Sequence, residues 1–411
     1  MSDDHPGQVS VLEGDTFELF AQLRAATPVV HLPDDGVYVV TRYDDIMTVI
    51  RDHERFSSMH HDILQPVPEH LRSKLPDGYL VTIPTLVTND PPAHTRVRKL
   101  TQKALSPSAV ASYEPHVRHI ANELVSAFAD AGRAEIIGEL ANPLPTRVLS
   151  TVLGIAEQDR RQFEMWAHGV MQLMVPSIPE ERRIALAEQQ VEFRDYVLRM
   201  LDERTRTPGT DLISGLILAE EDGEPALTHT EISGIVTQLI TAGVESTAAG
   251  IGITLMMLAG HPAAMERALG DRSSIPSIVE EALRRMAPAR GVLRETTRAV
   301  ELSGQVIPKG ARVFALLASA NHDESQFDCP GRFDVDRDQA QLSRNLTFGR
   351  GPHFCLGAVL ARSEIRIAVE TLLGRLGHFS IPAAQRIPWN SSLVFQGPLS
   401  LDIEWSSPCQ R

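Results

Sequence analysis

The chain has 411 residues, of which 43% are hydrophobic and 22% are charged, and its formal net charge at pH 7 is −14. A chain of this size can bury a large core, and an acidic balance with no basic stripe argues against nucleic-acid binding. Its three cysteines, at 329, 355 and 409, are too few and too scattered for a disulfide framework or a zinc site, and they fit a reducing cytoplasm.

The segment 1–15 is polar and acidic, with no basic n-region and no apolar core. We therefore expect no signal peptide and no membrane anchor. Most segments between residues 90 and 290 have helical periodicity, and short stretches rich in β-branched residues predict strands near both ends. The predicted strands are Val37–Thr41, Val292–Thr297, Val300–Ile307, Arg312–Leu317 and Leu393–Ile403. A small sheet made from such distant strands predicts one mainly helical domain over 1–411, with 1–15 as a tail.

The best-marked helix runs from Thr228 to Gly260. Thr228 and Glu231 form a capping box at its start, and Gly260 with Pro262 marks its end. Roughly thirty residues at 1.5 Å each give about 45 Å, enough to cross a domain. Its centre reads Ala242-Gly243-Val244-Glu245-Ser246-Thr247. The small residues leave space for a bulky ligand, and the polar ones argue against a lipid-facing span.

A glycine-punctuated loop near the C-terminus carries one cysteine, Cys355. It reads Phe348-Gly349-Arg350-Gly351-Pro352-His353-Phe354-Cys355-Leu356-Gly357. Apolar residues recur at helical spacing beyond it, which predicts Cys355 in the first turn of a helix, where free N–H groups favour a thiolate. Gly349 and Gly351 let the backbone approach something flat. Such a thiolate is a good ligand for haem iron; alone, the cysteine would more often be a small buried hydrophobe.

This loop resembles the haem-binding signature of the cytochrome P450 superfamily, Phe-Gly-x-Gly-x-His-x-Cys-x-Gly, at every fixed position. Other motifs of the superfamily occur in the same order: Asp90-Pro91-Pro92-x-His94-x-x-x-Arg98, the centre of the long helix, Glu281-x-x-Arg284, and Pro330-Gly331-Arg332-Phe333. The resemblance implies a single-domain fold with the long helix over haem b. It also implies a haem-thiolate monooxygenase, which inserts one oxygen atom from O2 into an organic substrate.

The resemblance assigns roles to individual residues. Cys355 is the expected iron ligand, and the other haem contacts are expected at His94, Arg98, Ala242, Gly243, Arg294, Phe348, Gly349, His353 and Gly357. Glu245 and Ser246 match the acid–alcohol pair that supplies protons. Serine stands where threonine is usual, so Thr247 remains a second candidate. Glu281 and Arg284 are a structural pair, and Arg332 is the expected third member.

The substrate is expected to be a medium-sized lipophilic molecule such as a terpenoid, steroid or polyketide. The resemblance places the pocket along Leu64–Thr88, Met171–Val175, Leu239–Gly243, Ala289–Val292 and Val394–Phe395. The candidate contacts are Leu239, Ala242, Arg290, Val292, Val394 and Phe395. Arg290 either anchors an acidic group of the substrate, or turns outward, or pairs with a haem propionate.

The expected electron donor is a separate ferredoxin with its reductase, as for the soluble bacterial members of the superfamily, and the protein is expected to be a monomer. Basic residues near the cysteine would form the docking face: Arg96, Lys99, Arg350, Arg362 and Arg366. Two alternatives remain at this stage. One is a haem-binding redox or gas sensor without turnover, and the other is a peroxide-driven peroxygenase. Peroxygenases of the superfamily tend to carry an arginine on the long helix, and none lies between Glu231 and Leu258.

Overall fold

The computed structural model describes residues 16–33, 36–59, 86–172, 178–221, 224–390 and 394–406. Helices dominate the described part, and the sheets are small, which confirms the predicted fold class. The α-helices are α1 (Thr16–Ala26), α2 (Tyr43–Arg51), α3 (Ala93–Ala104), α4 (Pro107–Phe128), α5 (Pro143–Val152), α6 (Arg160–Gln172), α7 (Glu180–Arg206), α8 (Leu212–Ile217), α9 (His229–Gly260), α10 (Pro262–Gly270), α11 (Ile275–Arg285), α12 (Leu317–Ala320), α13 (Gln339–Leu342) and α14 (Ala358–Leu376).

The described strands form one five-stranded sheet and three pairs. They are β1 (Val29–Leu32), β2 (Val37–Val40), β3 (Phe56–Ser57), β4 (Arg133–Glu135), β5 (Glu220–Glu221), β6 (Glu224–Pro225), β7 (Val292–Thr296), β8 (Val300–Leu302), β9 (Gln305–Ile307), β10 (Arg312–Ala315) and β11 (Asp402–Glu404). The large sheet has the order β1-β2-β10-β7-β3, in which only β2 and β10 are parallel. Strands near the N-terminus thus pair with strands from the C-terminal third.

The predicted strands are confirmed at β2, β7 and β10, each slightly shorter than expected. The stretch Val300–Ile307 is instead a hairpin of β8 and β9, which turns at Ser303 and Gly304 with positive φ angles of 46° and 78°. The predicted strand Leu393–Ile403 is wrong over most of its length. Its described residues before β11 make only isolated bridges, and Pro398 cannot donate a ladder hydrogen bond. Leu393 lies outside the described residues.

Helix α9 has 32 residues and crosses the largest hydrophobic core. Both hydrogen bonds of the predicted capping box are present: the Glu231 N–H donates to Thr228 Oγ1 at 3.2 Å, and the Thr228 N–H donates to Glu231 Oε2 at 2.8 Å. A Cβ on Gly250 would lie 2.6 Å from Cδ1 of Ile365 on α14. This glycine therefore lets the two helices cross closely.

By length and composition, α9 is also the one described helix that could cross a membrane. More than half of its most apolar window, 56%, is buried inside the protein. Such burial is typical of a helix in a protein core, where side chains of neighbouring helices replace lipid.

Candidate active site

The glycine loop before α14 folds back on itself and presents Cys355. The Cys355 N–H donates to the carbonyl oxygen of Phe348 at 2.8 Å, which closes the loop. Gly349 and Gly351 have φ angles of 66° and 75°, in the left-handed region that favours glycine. A Cβ on Gly351 would lie 3.0 Å from the carbonyl oxygen of Ile50, so the loop rests against the end of α2. The backbone path therefore requires both glycines.

The sequence predicts Cys355 in the first turn of α14, but the residue lies three positions before that helix. Gly357 is the N-cap, and the helix begins at Ala358. Burial raises the pKa of the Cys355 thiol. A hydrogen bond from the Gly357 N–H and the charges of Arg362 and Arg98 oppose this shift. Cys355 is nevertheless solvent-accessible. A bound metal cation would lower this pKa and deprotonate the thiol.

Four basic side chains converge beside this loop: His94 and Arg98 from α3, Arg294 from β7, and His353 from the loop itself. The rings of His94 and His353 have centroids 4.2 Å apart. Arg98 Nη2 donates to the carbonyl oxygen of Phe354 at 2.6 Å. Both ring nitrogens of His94 are buried and have no hydrogen-bond partner among the described residues. These four residues are named below as the basic cluster.

Among the described residues, one carboxylate lies beside the basic cluster, that of Asp90. Burial lowers the pKa of all four side chains, to about 10 for Arg294 and to about 3 for His353. The Asp90 carboxylate opposes the shifts of His94 and Arg294, but its oxygens already accept hydrogen bonds from Ser57 and the next backbone N–H. The two propionates of a haem would supply the missing charge and the partners that His94 lacks. The residues therefore fit haem.

The centre of α9 has an exposed face, although the helix crosses the core. Ala242 and Gly243 are exposed, and a Cβ on Gly243 would meet no atom within 4 Å. Ser246 lies one turn after Ala242 and donates its hydroxyl to the Ala242 carbonyl oxygen at 2.6 Å. Thr247 is only 4% exposed. The open face therefore carries Ser246 beside free space, and the geometry favours Ser246 over Thr247 as the hydroxyl of the acid–alcohol pair.

The Glu245 carboxylate is held from outside its own helix. Asn390 Nδ2 donates to Glu245 Oε1 at 2.8 Å. Burial raises the pKa of Glu245, and the hydrogen bond from Asn390 opposes that shift. The sequence did not reveal Asn390, because a single asparagine in a C-terminal loop carries no pattern that connects it to α9.

The predicted pair of Glu281 and Arg284 is fully buried and bidentate, with N–O distances of 2.7 and 2.8 Å. The prediction that Arg332 completes this cluster is wrong. Its side chain is 70% exposed, with the nearest carboxylate, that of Asp334, at 3.8 Å. Arg337 fills the position, because its Nε donates to Glu281 Oε2 at 3.0 Å. Arg332 contributes only its carbonyl oxygen, which accepts from both buried guanidinium groups.

Two of the segments predicted to line the substrate pocket lie side by side. Ala289 and Phe395 form an isolated bridge, and the Arg290 N–H donates to the Val394 carbonyl oxygen at 2.7 Å. The predicted contacts with half-buried side chains are Leu239, Val292, Val394 and Phe395. Residues 64–85 and 173–175 of the other predicted segments lie outside the described part of the chain.

Most of the basic residues predicted to attract a redox partner already have partners. Arg96 pairs with Glu231 at the start of α9, and Arg362 pairs with a glutamate of α11. Arg366 pairs with Glu114 and with Glu370. Lys99 is exposed and forms no ion pair with a described residue. Arg350 donates to the carbonyl oxygen of Ser343 and forms no ion pair with a described residue. Of the five predicted residues, Lys99 and Arg350 therefore keep their positive charge free of a described carboxylate.

A family model for cytochrome P450 matches residues 20–400. The chain is a cytochrome P450. Among its relatives, 6-deoxyerythronolide B hydroxylase from Saccharopolyspora erythraea is 33% identical over 95% of this chain and 98% of the relative. The monooxygenase PikC from Streptomyces venezuelae is 33% identical over 95% of this chain and 91% of its own. Because the relatives are hydroxylases and monooxygenases of this family, this P450 is a monooxygenase that uses haem and O2.

Solved structures of bacterial P450s have the same fold. CYP109Q5 from Chondromyces apiculatus superposes with a TM-score of 0.85 at 36% identity, over 97% of both chains. CYP109E1 from Bacillus megaterium, in complex with testosterone, has a TM-score of 0.84 at 30% identity, over 96% of this chain and 100% of the other. The fold around the glycine loop and α9 is thus that of the P450 family.

Proposed function

We propose that this P450 is a haem-thiolate monooxygenase of lipophilic substrates, with Cys355 as the iron ligand. When bound, haem b supplies the iron at which dioxygen is activated, so that one oxygen atom enters the substrate and the other leaves as water. The observation that carries the proposal is the exposed Cys355 beside a basic cluster in which both His94 ring nitrogens have no hydrogen-bond partner among the described residues. The propionates would be bound by His94, Arg98, Arg294 and His353, and the loop that holds the haem would be shaped by Phe348, Gly349 and Gly357.

Protons would reach the site through Glu245 and Ser246. A pKa raised by burial lets the Glu245 carboxyl keep its proton to higher pH than an exposed glutamate does. Asn390 fixes one carboxyl oxygen, and the Ser246 hydroxyl is held by the Ala242 carbonyl oxygen with its lone pairs free to accept a proton. Glu245→Gln and Ser246→Ala should each lower the amount of product per NADH consumed, because electrons then leave as peroxide.

The proposed substrate is a medium-sized lipophilic molecule, a terpenoid, steroid or polyketide. Two lines of support favour it: the aliphatic character of the half-buried pocket residues, and relatives whose names refer to 6-deoxyerythronolide B, erythromycin and testosterone. Titration of compounds from these three classes, followed by the ligand-induced shift of the haem absorption spectrum, tests the proposal. Uniform failure of all three classes would exclude it.

Electrons would come from an acidic ferredoxin served by its own reductase, in the cytoplasm, to a monomeric enzyme of one domain. The cationic residues near the glycine loop support this choice, since they would attract an acidic partner. Purified enzyme with a surrogate ferredoxin pair and NADH should oxidise a substrate only when O2 is present. Oxidation driven by peroxide alone would indicate the peroxygenase alternative, and haem binding without any turnover would indicate a sensor.

The thiolate assignment has its own test. Cys355→His should keep haem bound through the basic cluster but lose the thiolate-type spectrum of the ferrous carbonyl complex. Cys329→Ser is the matched control, because Cys329 is a free, exposed cysteine outside the glycine loop. A variant Cys355→His with an unchanged spectrum would overturn the assignment.

A further inference from the structure

Arg290 has a buried guanidinium with no charged partner in the part of the chain that the structure describes. The residue is 6% exposed, and its Nη1 is buried with no hydrogen-bond partner among the described residues. With the described residues its side chain makes one hydrogen bond, which Nε donates to the neutral Gln396 Oε1 at 3.2 Å. Burial alone lowers the pKa of Arg290, and no carboxylate offsets that effect. Burying a charge without a partner costs free energy, so an anion that binds at this position would be stabilised by the guanidinium.

Gln396 holds the guanidinium in one orientation. The Gln396 amide is itself fixed, because its Nε2 donates to the carbonyl oxygen of Ala287 at 2.8 Å. The Gln396 backbone N–H also donates to the carbonyl oxygen of Pro288. Nε is occupied, whereas the two terminal nitrogens of Arg290 make no hydrogen bond with a described residue. Their parallel N–H groups match the two oxygens of a carboxylate.

The backbone places Arg290 on the same face as the basic cluster, but apart from it. A Cβ on Gly291 would lie 2.6 Å from Cζ of Phe314, so Gly291 faces that ring. Alternation along the extended chain then puts Arg290, Val292 and Arg294 on the opposite face. Four residues of extended chain span about 13 Å. The pKa shifts agree with this separation, because the charge of Arg294 lowers the pKa of His94 and of His353, whereas Arg290 is not among the charges that shift them.

We infer that Arg290 is a specificity-determining residue that binds a carboxylate of the lipophilic substrate. This inference rests on the proposed monooxygenase function and narrows its substrate class to lipophilic acids. The unpaired fork lies beside the pocket segment of Val394 and Phe395, and on the same face as Val292. A carboxylate held there would fix which carbon of the apolar chain enters the reactive site.

The test compares dodecanoic acid with its methyl ester, by equilibrium dialysis against the haem-loaded protein. The wild type should bind the acid about 10- to 100-fold more tightly than the ester, the range expected of a charge-assisted hydrogen bond. Arg290→Gln should lose that preference, with the affinity for the ester changed by less than about threefold. Arg290→Lys should keep part of the preference, because it retains the charge but not the fork. Arg332→Gln, which removes an exposed guanidinium, is the control and should bind both like the wild type.

Haem content and the ferrous carbonyl spectrum are recorded for each protein. These two measurements test the proposed function, whereas the comparison of acid with ester tests the carboxylate anchor. Equal losses for acid and ester in Arg290→Gln would overturn the inference. Loss of haem from that variant would overturn it too, because Arg290 would then hold the cofactor. If Arg290→Gln does not fold, the wild-type comparison decides: a wild type that binds the ester as tightly as the acid has no carboxylate anchor.

Discussion

Glu281 is a fully buried carboxylate that is held by three different residues. It has no exposed surface, and its carboxylate accepts from Arg284, from Arg337 and from the backbone N–H of Asp334 at 2.9 Å. These contacts join α11 to the segment that leads to the glycine loop. A carboxylate buried in this way is stable only while its partners remain.

We predict that Arg337→Met destabilises the protein by about 3 kcal/mol, because it removes one partner of a fully buried carboxylate. The same substitution at Arg332 should change the free energy of unfolding by less than about 0.5 kcal/mol, since that side chain is exposed. Urea unfolding followed by circular dichroism measures both. Equal effects at the two positions would contradict the assignment of Arg337 to the cluster.

The sequence could identify the Glu281–Arg284 pair but not its third member. The glutamate and arginine are one helical turn apart, and local spacing determines their contact. The third arginine comes from irregular chain more than fifty residues later, where no periodicity fixes which way a side chain points. Arg332 and Arg337 have the same chemistry, and only the turns between them decide that one is exposed and the other buried.

At the scale of single elements, α14 carries a buried carboxyl with one oxygen that no described residue bonds. Glu364 is 4% exposed, and its Oε2 has no hydrogen-bond partner among the described residues. Burial raises the pKa of Glu364 to about 8. Between its ordinary pKa of 4.5 and about 8, the folded protein therefore holds a proton that the unfolded chain releases.

The raised pKa of Glu364 makes the stability of the protein depend on pH in a definite direction. Over that pH window the free energy of unfolding of the wild type should fall as pH rises, because the native state binds more protons than the unfolded state. Glu364→Gln removes this contribution, so its stability relative to the wild type should increase between pH 5 and 8, by a few kcal/mol in order of magnitude. Urea unfolding of both proteins at several pH values measures the difference. A difference that stays constant with pH would rule out the raised pKa.

Some glycines are in close contact with a neighbouring element, so that a Cβ would clash there, whereas others have open space around them. A Cβ on Gly291 would lie 2.4 Å from the carbonyl oxygen of Ala315, whereas one on Gly374 of α14 would meet nothing within 4 Å. Gly291→Ala should destabilise the protein by about 1–3 kcal/mol through overpacking against rigid backbone. Gly374→Ala should stabilise it by about 0.5–1 kcal/mol, because alanine is the better helix former. Thermal unfolding distinguishes the two, and stabilisation by both substitutions would show that close packing at Gly291 is unimportant.

The sequence predicts the bounds of a helix or strand best where the residues that mark them are adjacent to it in the chain. The capping box and terminal glycine placed α9 within a residue, because cap and helix are adjacent in sequence. The strand expected over Leu393–Ile403 failed, since its isolated bridges depend on Ala289 and Trp389, which no pattern within that stretch encodes. The position of Cys355 before α14 likewise depends on how the loop turns at Gly357.

At the scale of the whole molecule, a chain with a net charge of −14 keeps free cations beside the glycine loop. Lys99 and Lys103 on α3 are exposed and make no ion pair with a described residue, and Arg51 at the end of α2 is exposed next to Gly351. Arg98, on the same helix as these lysines, contacts the residue before Cys355. An acidic partner would therefore meet attraction on this face and repulsion over much of the remaining surface.

We predict that the double variant Lys99→Glu, Lys103→Glu is reduced by an acidic ferredoxin about tenfold more slowly than the wild type at low salt, since reversing charges at a docking rim mainly lowers the association rate. The difference should shrink as salt is added, because about 0.15 M salt screens exposed charges beyond roughly 8 Å. Lys309→Glu, at an exposed position in the turn before β10, is the control for a change in net charge alone and should be reduced like the wild type. Stopped-flow measurement of haem reduction under carbon monoxide gives the rates. If the control and the double variant slow equally, only the net charge matters, and the partner does not dock beside α3.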